Sequence, residues 1–499
     1  MGGFFLKTIR CYKLFMNKKT KKAVVVGAGP SGVSAAYELS KQNIETQIIE
    51  KYNTVGGLAR TISFKNLRFD VGPHRFFTYN KEVENLYLRI LGSDAVEVKR
   101  QTRILYNKKL FDYPLSPLGT ITKIGFIGAI LILVSYLIAI FNKIILRKKP
   151  KNFEEWVELN FGKNLYKKFF KSYTEKVWGI KCSKISKDWA AQRIKNLSFI
   201  GVILNPIIKK FRKKKIKTLV DQFWYPRQGA GIFYEKLLKK MNGNNVKVSF
   251  NEEFLKINHE NEKIISITSK NEKGELKNTQ YDYYFISSPF TKIIENLRPK
   301  APKEILECVN QLNYRHHIGV KLIISGKIFK DNWIYIHDPN VKMARVSNYL
   351  NFSKFMSEDS DLNPVTVEYF CFNSDEVWKK SDSELINLAE KELRQTQLIK
   401  EENIVRDGFI VRSLDAYPVI AMGYEKNVNK IREYISKFKN LFPIGRSGMF
   451  KYNNQDHAIA TGMYAARNLI SEGKKIDIWK INSEGVYLEG NIDKDTQKL

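Results

Sequence analysis

One short run near the start of the chain constrains the fold more than any other feature. Ala23-Val24-Val25-Val26 is β-branched and apolar, fit for a strand buried on both faces. It leads directly into Gly27-Ala28-Gly29-Pro30-Ser31-Gly32 and then Val33-Ser34-Ala35-Ala36-Tyr37-Glu38-Leu39, which has helical character. This is GxGxxG in its strand–turn–helix context. Gly27 permits the tight turn, Gly29 lets the backbone approach a pyrophosphate, and Gly32 lets helix and strand pack closely. The helix start, where Ser31 stands, offers free N–H groups and a positive dipole end. A second strand, Thr46-Gln47-Ile48-Ile49, ends at Glu50, eighteen residues after Gly32. An acid there can bond adenosine ribose hydroxyls and disfavours a 2′-phosphate. Strand, glycines, helix, strand and acid in that order specify a dinucleotide-binding α/β unit.

Six residues past Glu50 stands Gly56-Gly57-Leu58-Ala59-Arg60-Thr61, a second glycine pair beside the expected pyrophosphate, with Arg60 able to neutralise phosphate charge. Phe69-Asp70-Val71-Gly72-Pro73-His74 then supplies a turn that carries a histidine toward the same region. On these residues the chain resembles the FAD-dependent amine oxidase superfamily, which includes protoporphyrinogen oxidases, desaturases and UDP-galactopyranose mutases. Families of this kind bind FAD, not NAD, with these two glycine motifs. The resemblance implies cofactor contacts at Gly27, Gly29, Ser31, Gly32, Glu50, Gly57, Leu58, Arg60, Gly72 and His74. With no Cys or His in a recognisable flavinylation motif, non-covalent FAD is the expectation.

Later segments are similar to UDP-galactopyranose mutases in particular. Gly72-Pro73-His74-Arg75-Phe76-Phe77-Thr78 resembles their GPHxFHT, with Phe77 in place of the second His. Tyr173-Thr174-Glu175-Lys176-Val177-Trp178-Gly179 resembles YTxKQWG and is followed by Gln192-Arg193-Ile194, where the mutases carry an Arg. Met343-Ala344-Arg345-Val346-Ser347 resembles the segment that places an arginine on the nucleotide-sugar diphosphate. The run from Gly445-Arg446 through Tyr452 to Asp456 resembles GRxGxYxYxxxD, with Phe450 replacing the first Tyr. The resemblance covers most of 22–470. It implies catalytic roles for His74, Arg345 and Tyr452, substrate contacts at Trp178, Arg193, Arg345, Tyr417 and Tyr452, and further cofactor contacts at Gly445, Arg446 and Asp456. Phe254 is expected on strands covering the adenine. Two features depart from the mutases: Leu197 stands where they carry a second Arg, and an apolar insertion surrounds 124–141.

The residue types suit that chemistry. A diphosphate calls for forked cationic donors, which Arg supplies and Lys does not. Trp178 offers a face for a uracil ring or an apolar group, and tyrosine hydroxyls are neutral donors at pH 7. His316 and His317 are read as structural, since neighbours on a strand point to opposite faces. No metal cluster, Ser/His/Asp triad or nucleic-acid-binding motif is apparent. The resemblance therefore implies an FAD-dependent enzyme acting on a nucleotide-activated or lipid-linked sugar in polysaccharide or glycan biosynthesis through flavin N5 chemistry. The alternative is an FAD-dependent oxidoreductase taking a hydride from an apolar substrate.

At 499 residues the chain holds several domains' worth of core, and 84 Lys+Arg against 51 Asp+Glu give +33, a charge that favours polyanions or anionic lipid. Four scattered cysteines fit a reducing cytosol. Ile124 to Phe141 contains no charge and is nearly long enough to span a bilayer. A single span would separate two halves that both build the cofactor site, so the stretch is expected to lie in a membrane interface or to cap the core. The expected location is cytoplasmic, with peripheral contact at the inner face of an anionic membrane. The expected architecture is α/β: a Rossmann-like FAD-binding domain of the GR2 type interleaved with a helical domain and a mixed-sheet substrate domain. The boundaries read as a basic segment 1–19, FAD-binding parts at 20–110, 221–294 and 436–475, a helical domain at 111–220, a mixed-sheet domain at 295–435 and a tail at 476–499.

Overall fold

The computed structural model describes residues 21–187, 189, 221–241, 243, 245–471 and 475–482. Arg193, Leu197, the basic run 209–215 and the segment 1–19 lie outside the described residues. The Val-rich run forms β1 (Lys22–Val26), with Val24 and Val25 wholly buried because the sheet is covered on both faces. It passes through the glycine turn into α1 (Pro30–Ser40), whose first residue is a proline with no N–H to waste, and returns as β2 (Glu45–Ile49). The register Val25↔Ile48 on one side and Val25↔Phe285 on the other makes β1 the centre of a five-stranded parallel sheet. Its outer strands are Leu441–Pro443 and Val246–Ser249. The unit is assembled from three stretches of chain, and that interleaving brings distant motifs to one cleft. A four-stranded sheet that includes Glu253–Glu260 packs Phe254, Ile257 and Ile267 against the other face of β1.

The apolar insertion is a single helix, α2 (Phe126–Ile144), lying against α3 (Phe153–Phe161). Only Ile132, Tyr136 and Ala139 of it are buried, so α2 does not cap the core.

The second large sheet is built round β3 (Tyr314–Ser325), β4 (Leu362–Cys371) and β5 (Val405–Pro418), within a seven-stranded mixed sheet. Both faces of β3 are covered, so all twelve of its residues are buried. Period-two alternation sorts them. Ile318, Val320, Leu322 and Ile324 enter one apolar core with Val365, Val367 and Tyr369 of β4. The other face carries His317 and Lys321 of β3 and Thr366 and Glu368 of β4, brought level by the pairs Lys321↔Thr366 and Gly319↔Glu368. The sheet also takes in Thr102–Tyr106 and Lys109–Asp112, so it begins inside stretches assigned from the sequence to the FAD-binding and helical domains. The helix α4 (Gln455–Ile470) packs along α1.

Asp70 ties the turn that carries His74 to β3 and to the Tyr225–Ala230 segment. Its fully buried carboxylate accepts bonds from Thr61 Oγ1 (2.6 Å), Tyr225 OH (2.7 Å) and the Ala230 amide (3.0 Å). Its carbonyl accepts from Lys321 Nζ (2.6 Å) and Tyr349 OH (2.9 Å). Burial pushes the carboxyl up to about 6 in spite of these donors. Asp70→Ala would orphan three buried donors at about 1–3 kcal/mol each. We expect a loss of roughly 3–6 kcal/mol in chemical denaturation, with Asp70→Asn less damaging because one carbonyl acceptor survives.

Candidate active site

Two cavities meet between the sheets. The first, about 250 Å³, is lined by Gly27, Gly29, Ser31, Glu50, Gly57, Leu58, Arg60 and Phe254, as the sequence predicts. Its floor is bare backbone. Gly27 has φ +95°, and a Cβ on Gly32 would lie 1.9 Å from the Gly27 carbonyl oxygen. A Cβ on Gly57 would come within 3.0 Å of the Gly29 Cα, so the two glycine motifs close on each other with no room for side chains. Glu50 is fixed at the end of β2 by the amides of Ala28 (2.7 Å) and Tyr52 (3.0 Å). The buried Arg60 donates to the Gly57 carbonyl (2.7 Å) and lies over the Tyr52 ring at 4.5 Å; among the described residues no carboxylate pairs with it. A bare floor, a fixed acid and an uncompensated cation fit the ribose and pyrophosphate of FAD. Gly445 and Asp456 are placed differently from expectation. Gly445 (φ +79°) packs on Ser31, whose Oγ would lie 2.4 Å from an added Cβ, and Asp456 lines neither cavity. Asn454 and Gln455, at the start of α4, occupy the wall instead.

The second cavity, about 620 Å³, opens from the first: Leu58, His74, Arg446, Asn454 and Gln455 line both. Gly72, Trp178, Arg345, Tyr417 and Tyr452 also line it, so the expected substrate residues converge, Arg193 excepted because it falls outside the described residues. A Cβ on Gly72 would lie 3.3 Å from Glu368 Oε1, so a glycine lets the His74 turn reach the sheet. Burial, then the charges of Arg446 and Arg345, push the His74 imidazole down to about 3, so it is neutral at pH 7. Its Nδ1 is buried without a partner, as are Asn453 Nδ2 and Gln455 Nε2, three polar atoms on cavity-lining residues that a bound ligand would satisfy.

Arg345 grips Glu368 with Nε and with Nη2 (2.7 Å), and Glu368 also meets His317 Nε2 at 2.9 Å. Burial alone would raise the Glu368 carboxyl, but Arg345 and His317 hold it well below the usual range. Arg446, by contrast, is fixed by its Nε bond to the Asn453 carbonyl (2.7 Å) between the rings of Tyr417 (5.0 Å) and Tyr452 (4.8 Å). Arg345 is paired with Glu368, whereas Arg446 has no carboxylate partner among the described residues. Burial pushes the Tyr173 and Tyr417 hydroxyls up, so both remain protonated donors at pH 7. Trp178 meets Trp189 edge-on at 4.8 Å and lies 5.7 Å from Tyr452.

Sequence reasoning missed Glu368 and misjudged His317. The two histidines do point to opposite faces, with His316 Nδ1 accepting the Asp415 amide (3.0 Å), but His317 belongs to the chamber wall. A lone acid in the apolar run Val365-Thr366-Val367-Glu368-Tyr369-Phe370 was the available signal, since a buried Glu needs a cationic partner. His337, stacked on Tyr173 at 4.8 Å, also went unnoticed.

Residues 25–90 match the NAD(P)-binding Rossmann-like domain family. A "Probable UDP-galactopyranose mutase" of Klebsiella pneumoniae is 32% identical over 174 residues, 33% of this chain and 43% of the mutase, so the matched stretch spans less than half of that relative. An L-amino-acid oxidase of Sistrurus catenatus edwardsii is 23% identical over 341 residues, 63% of this chain and 60% of the oxidase. The crystal structure of a reduced UDP-galactopyranose mutase superposes with a TM-score of 0.77 at 18% identity, covering 93% of this chain and 96% of that one. The interleaved fold and these matches relate the chain to a class of flavoproteins that includes pyranose mutases and amino-acid oxidases. Within that class it is similar to UDP-galactopyranose mutases, in sequence over a third of its length and in fold over nearly all of it.

The buried neutral imidazoles have a consequence for stability. His337, like His74, is pushed down to about 3, by burial first and then by Lys176. A folded-state value below the unfolded one makes the contribution complete above about pH 6.5, and it is lost as pH falls toward 3, by about 1.4 kcal/mol per pH unit and imidazole. His337→Phe should therefore lose less stability than the parent between pH 7 and 5, by about 2 kcal/mol in urea titrations. Identical pH slopes would refute the assignment.

Proposed function

We propose that the protein is an FAD-dependent enzyme acting on a phosphorylated sugar, in the manner of a pyranose mutase. One observation carries this reading: the GxGxxG cleft and the arginine–tyrosine chamber share His74, Arg446 and Gln455, so a cofactor held in one reaches a substrate held in the other. Gly27, Gly29, Ser31, Glu50, Gly57, Arg60 and Phe254 would hold FAD, which when bound supplies redox or nucleophilic flavin chemistry. The chain's own residues bind and orient. Arg446 attracts one anionic group in a partly dry chamber, where a fixed cation acts more strongly than in water. The protonated hydroxyls of Tyr173 and Tyr417 donate to sugar or phosphate oxygens, and Trp178 walls off solvent. Neutral His74 can accept a proton or donate one, depending on which ring nitrogen carries it. Arg345, already bonded to Glu368 through two of its nitrogens, has Nη1 left for a ligand and serves first to hold the floor.

The apolar part of the chamber wall, with Ile104, Phe153 and Phe169, favours a second reading, an oxidoreductase acting on an apolar molecule. Titration of UDP into the oxidised and dithionite-reduced holoenzyme, read by flavin absorption, tests the first. We expect the reduced form to respond, and Arg446→Lys to weaken the response about tenfold because a point charge replaces a forked donor. Turnover that requires prior reduction supports the mutase reading. Indifference of both forms to UDP, with the oxidised flavin bleached by an apolar substrate, would establish the second.

A further inference from the structure

Helix α2 is the largest feature that the proposed chemistry does not use. Ten of its large apolar side chains are exposed, Phe126 and Ile127 to 77% and 75% of their area. Ile127, Leu131, Val134, Ile138 and Phe141 follow helical spacing along the outward side, a continuous apolar face far beyond the scattered exposure of soluble surfaces. The helix is not free to span a bilayer. Asn164 bonds the Leu131 carbonyl (2.9 Å) and, through its amide, Ser135 Oγ (3.3 Å), while Lys143 Nζ bonds Asn160 Oδ1 (2.7 Å). Gly162 approaches so closely that a Cβ would sit 2.8 Å from the Ser135 backbone. The strand before α2 and the helix after it both belong to the body of the protein, so the helix lies flat against it.

Two further observations identify what covers this face. From Tyr113 to Phe153 the sequence has no Asp or Glu, while Lys123, Lys143, Arg147, Lys148, Lys149 and Lys151 flank the apolar stretch. Arg147 to Lys149 and Lys151 are exposed at its end, a charge pattern complementary to anionic head groups. The 620 Å³ chamber also runs out to α2: Ile121, Phe126, Ile130 and Leu133 line it and are themselves exposed. Its mouth is therefore apolar and opens on the apolar face, while its inner end carries Arg446 and the tyrosines.

We propose that α2 seats the protein on an anionic lipid leaflet and that the chamber takes an amphipathic substrate from that leaflet, a sugar phosphate or diphosphate carried on a hydrocarbon chain. The head group rests on the reading given above; the seating and the apolar route stand on α2 and the chamber alone. A hydrocarbon tail lying from Ile130 toward Phe169 would never cross water, and its charged head would exchange the interface for Arg446.

The test uses the full-length, FAD-loaded protein in three measurements. Co-flotation with vesicles of equal parts phosphatidylcholine and phosphatidylglycerol should capture the parent and spare the Ile127→Glu/Ile138→Glu double variant, which alters outward residues that do not line the chamber. We expect at least about a tenfold loss of binding from charges placed in the buried face. Farnesyl diphosphate titrated into the holoenzyme should perturb the flavin band, and Ile130→Trp, a plug at the mouth, should raise its half-saturation about tenfold while leaving the response to inorganic pyrophosphate unchanged. Flavin content of each variant reports that the fold is intact. Equal flotation of parent and double variant, or of vesicles with and without phosphatidylglycerol, overturns the seating. A plug without effect on farnesyl diphosphate overturns the route. Loss of the sugar-phosphate reading alone would appear as flotation and a farnesyl diphosphate response combined with no turnover of any phosphorylated sugar.

Discussion

A single buried carboxylate and its own carbonyl hold the two halves of the molecule in register. Asp70 stands where the chain leaves the nucleotide-binding part, and it is gripped from one side by Thr61, Tyr225 and Ala230 and from the other by Lys321 and Tyr349. The arrangement is costly to build, since burial pushes Asp70 up to about 6 and Lys321 down to about 7. It persists because both groups are hydrogen-bonded, the carboxylate by three donors and Lys321 Nζ to the carbonyls of Asp70 and Val71 and to Thr366 Oγ1. Four residues later the chain places His74 at the junction of the two cavities, so the geometry of the reacting end is inherited from this clamp.

The chamber floor shows the same logic turned to binding. β3 contributes His317 to it and β4 contributes Glu368, and their register sets Glu368 level with Gly319, beside His317. A Cβ at Gly319 would lie 3.0 Å from Lys321 Nζ and 3.4 Å from His317 Cε1, so the glycine leaves room for both side chains. One arginine is neutralised by design of the sheet, and another, Arg446, comes from the far end of the chain with no carboxylate partner among the described residues. Two cations of identical chemistry thus have different work, one structural and one available.

What was legible in the sequence was local. The two glycine motifs, Glu50 and Arg60 lie within forty residues, and the backbone they build brings them to one cavity. Trp178, Arg345, Tyr417 and Tyr452 were recognised by resemblance, and the fold does bring them to one cavity. What escaped depends on pairing between distant strands: Glu368 and His317 meet only through the β3–β4 register, and Thr102–Tyr106 joins the second large sheet through a parallel pairing with Trp333–Ile336 that no local pattern announces. Gln455, one residue before Asp456 at the start of α4, lines the wall, because a helix start turns successive side chains by about 100°. For 124–141, length and composition allowed a span, an interfacial helix or a core helix; the polar bonds to Asn164 and Asn160 argue against the first, and the exposure of Phe126 and Ile127 excludes the last.

Arg446 borders both cavities, and its charge cannot be divided between them. Any anion drawn to it from the chamber lowers the positive potential felt in the neighbouring cleft, and any gain of negative charge in the cleft weakens the pull on the anion. Occupancy on one side and electron content on the other are therefore thermodynamically linked, and by reciprocity each must shift the other by the same free energy. On the reading proposed above, a shared guanidinium couples substrate affinity to the cofactor's reduction potential through one free energy.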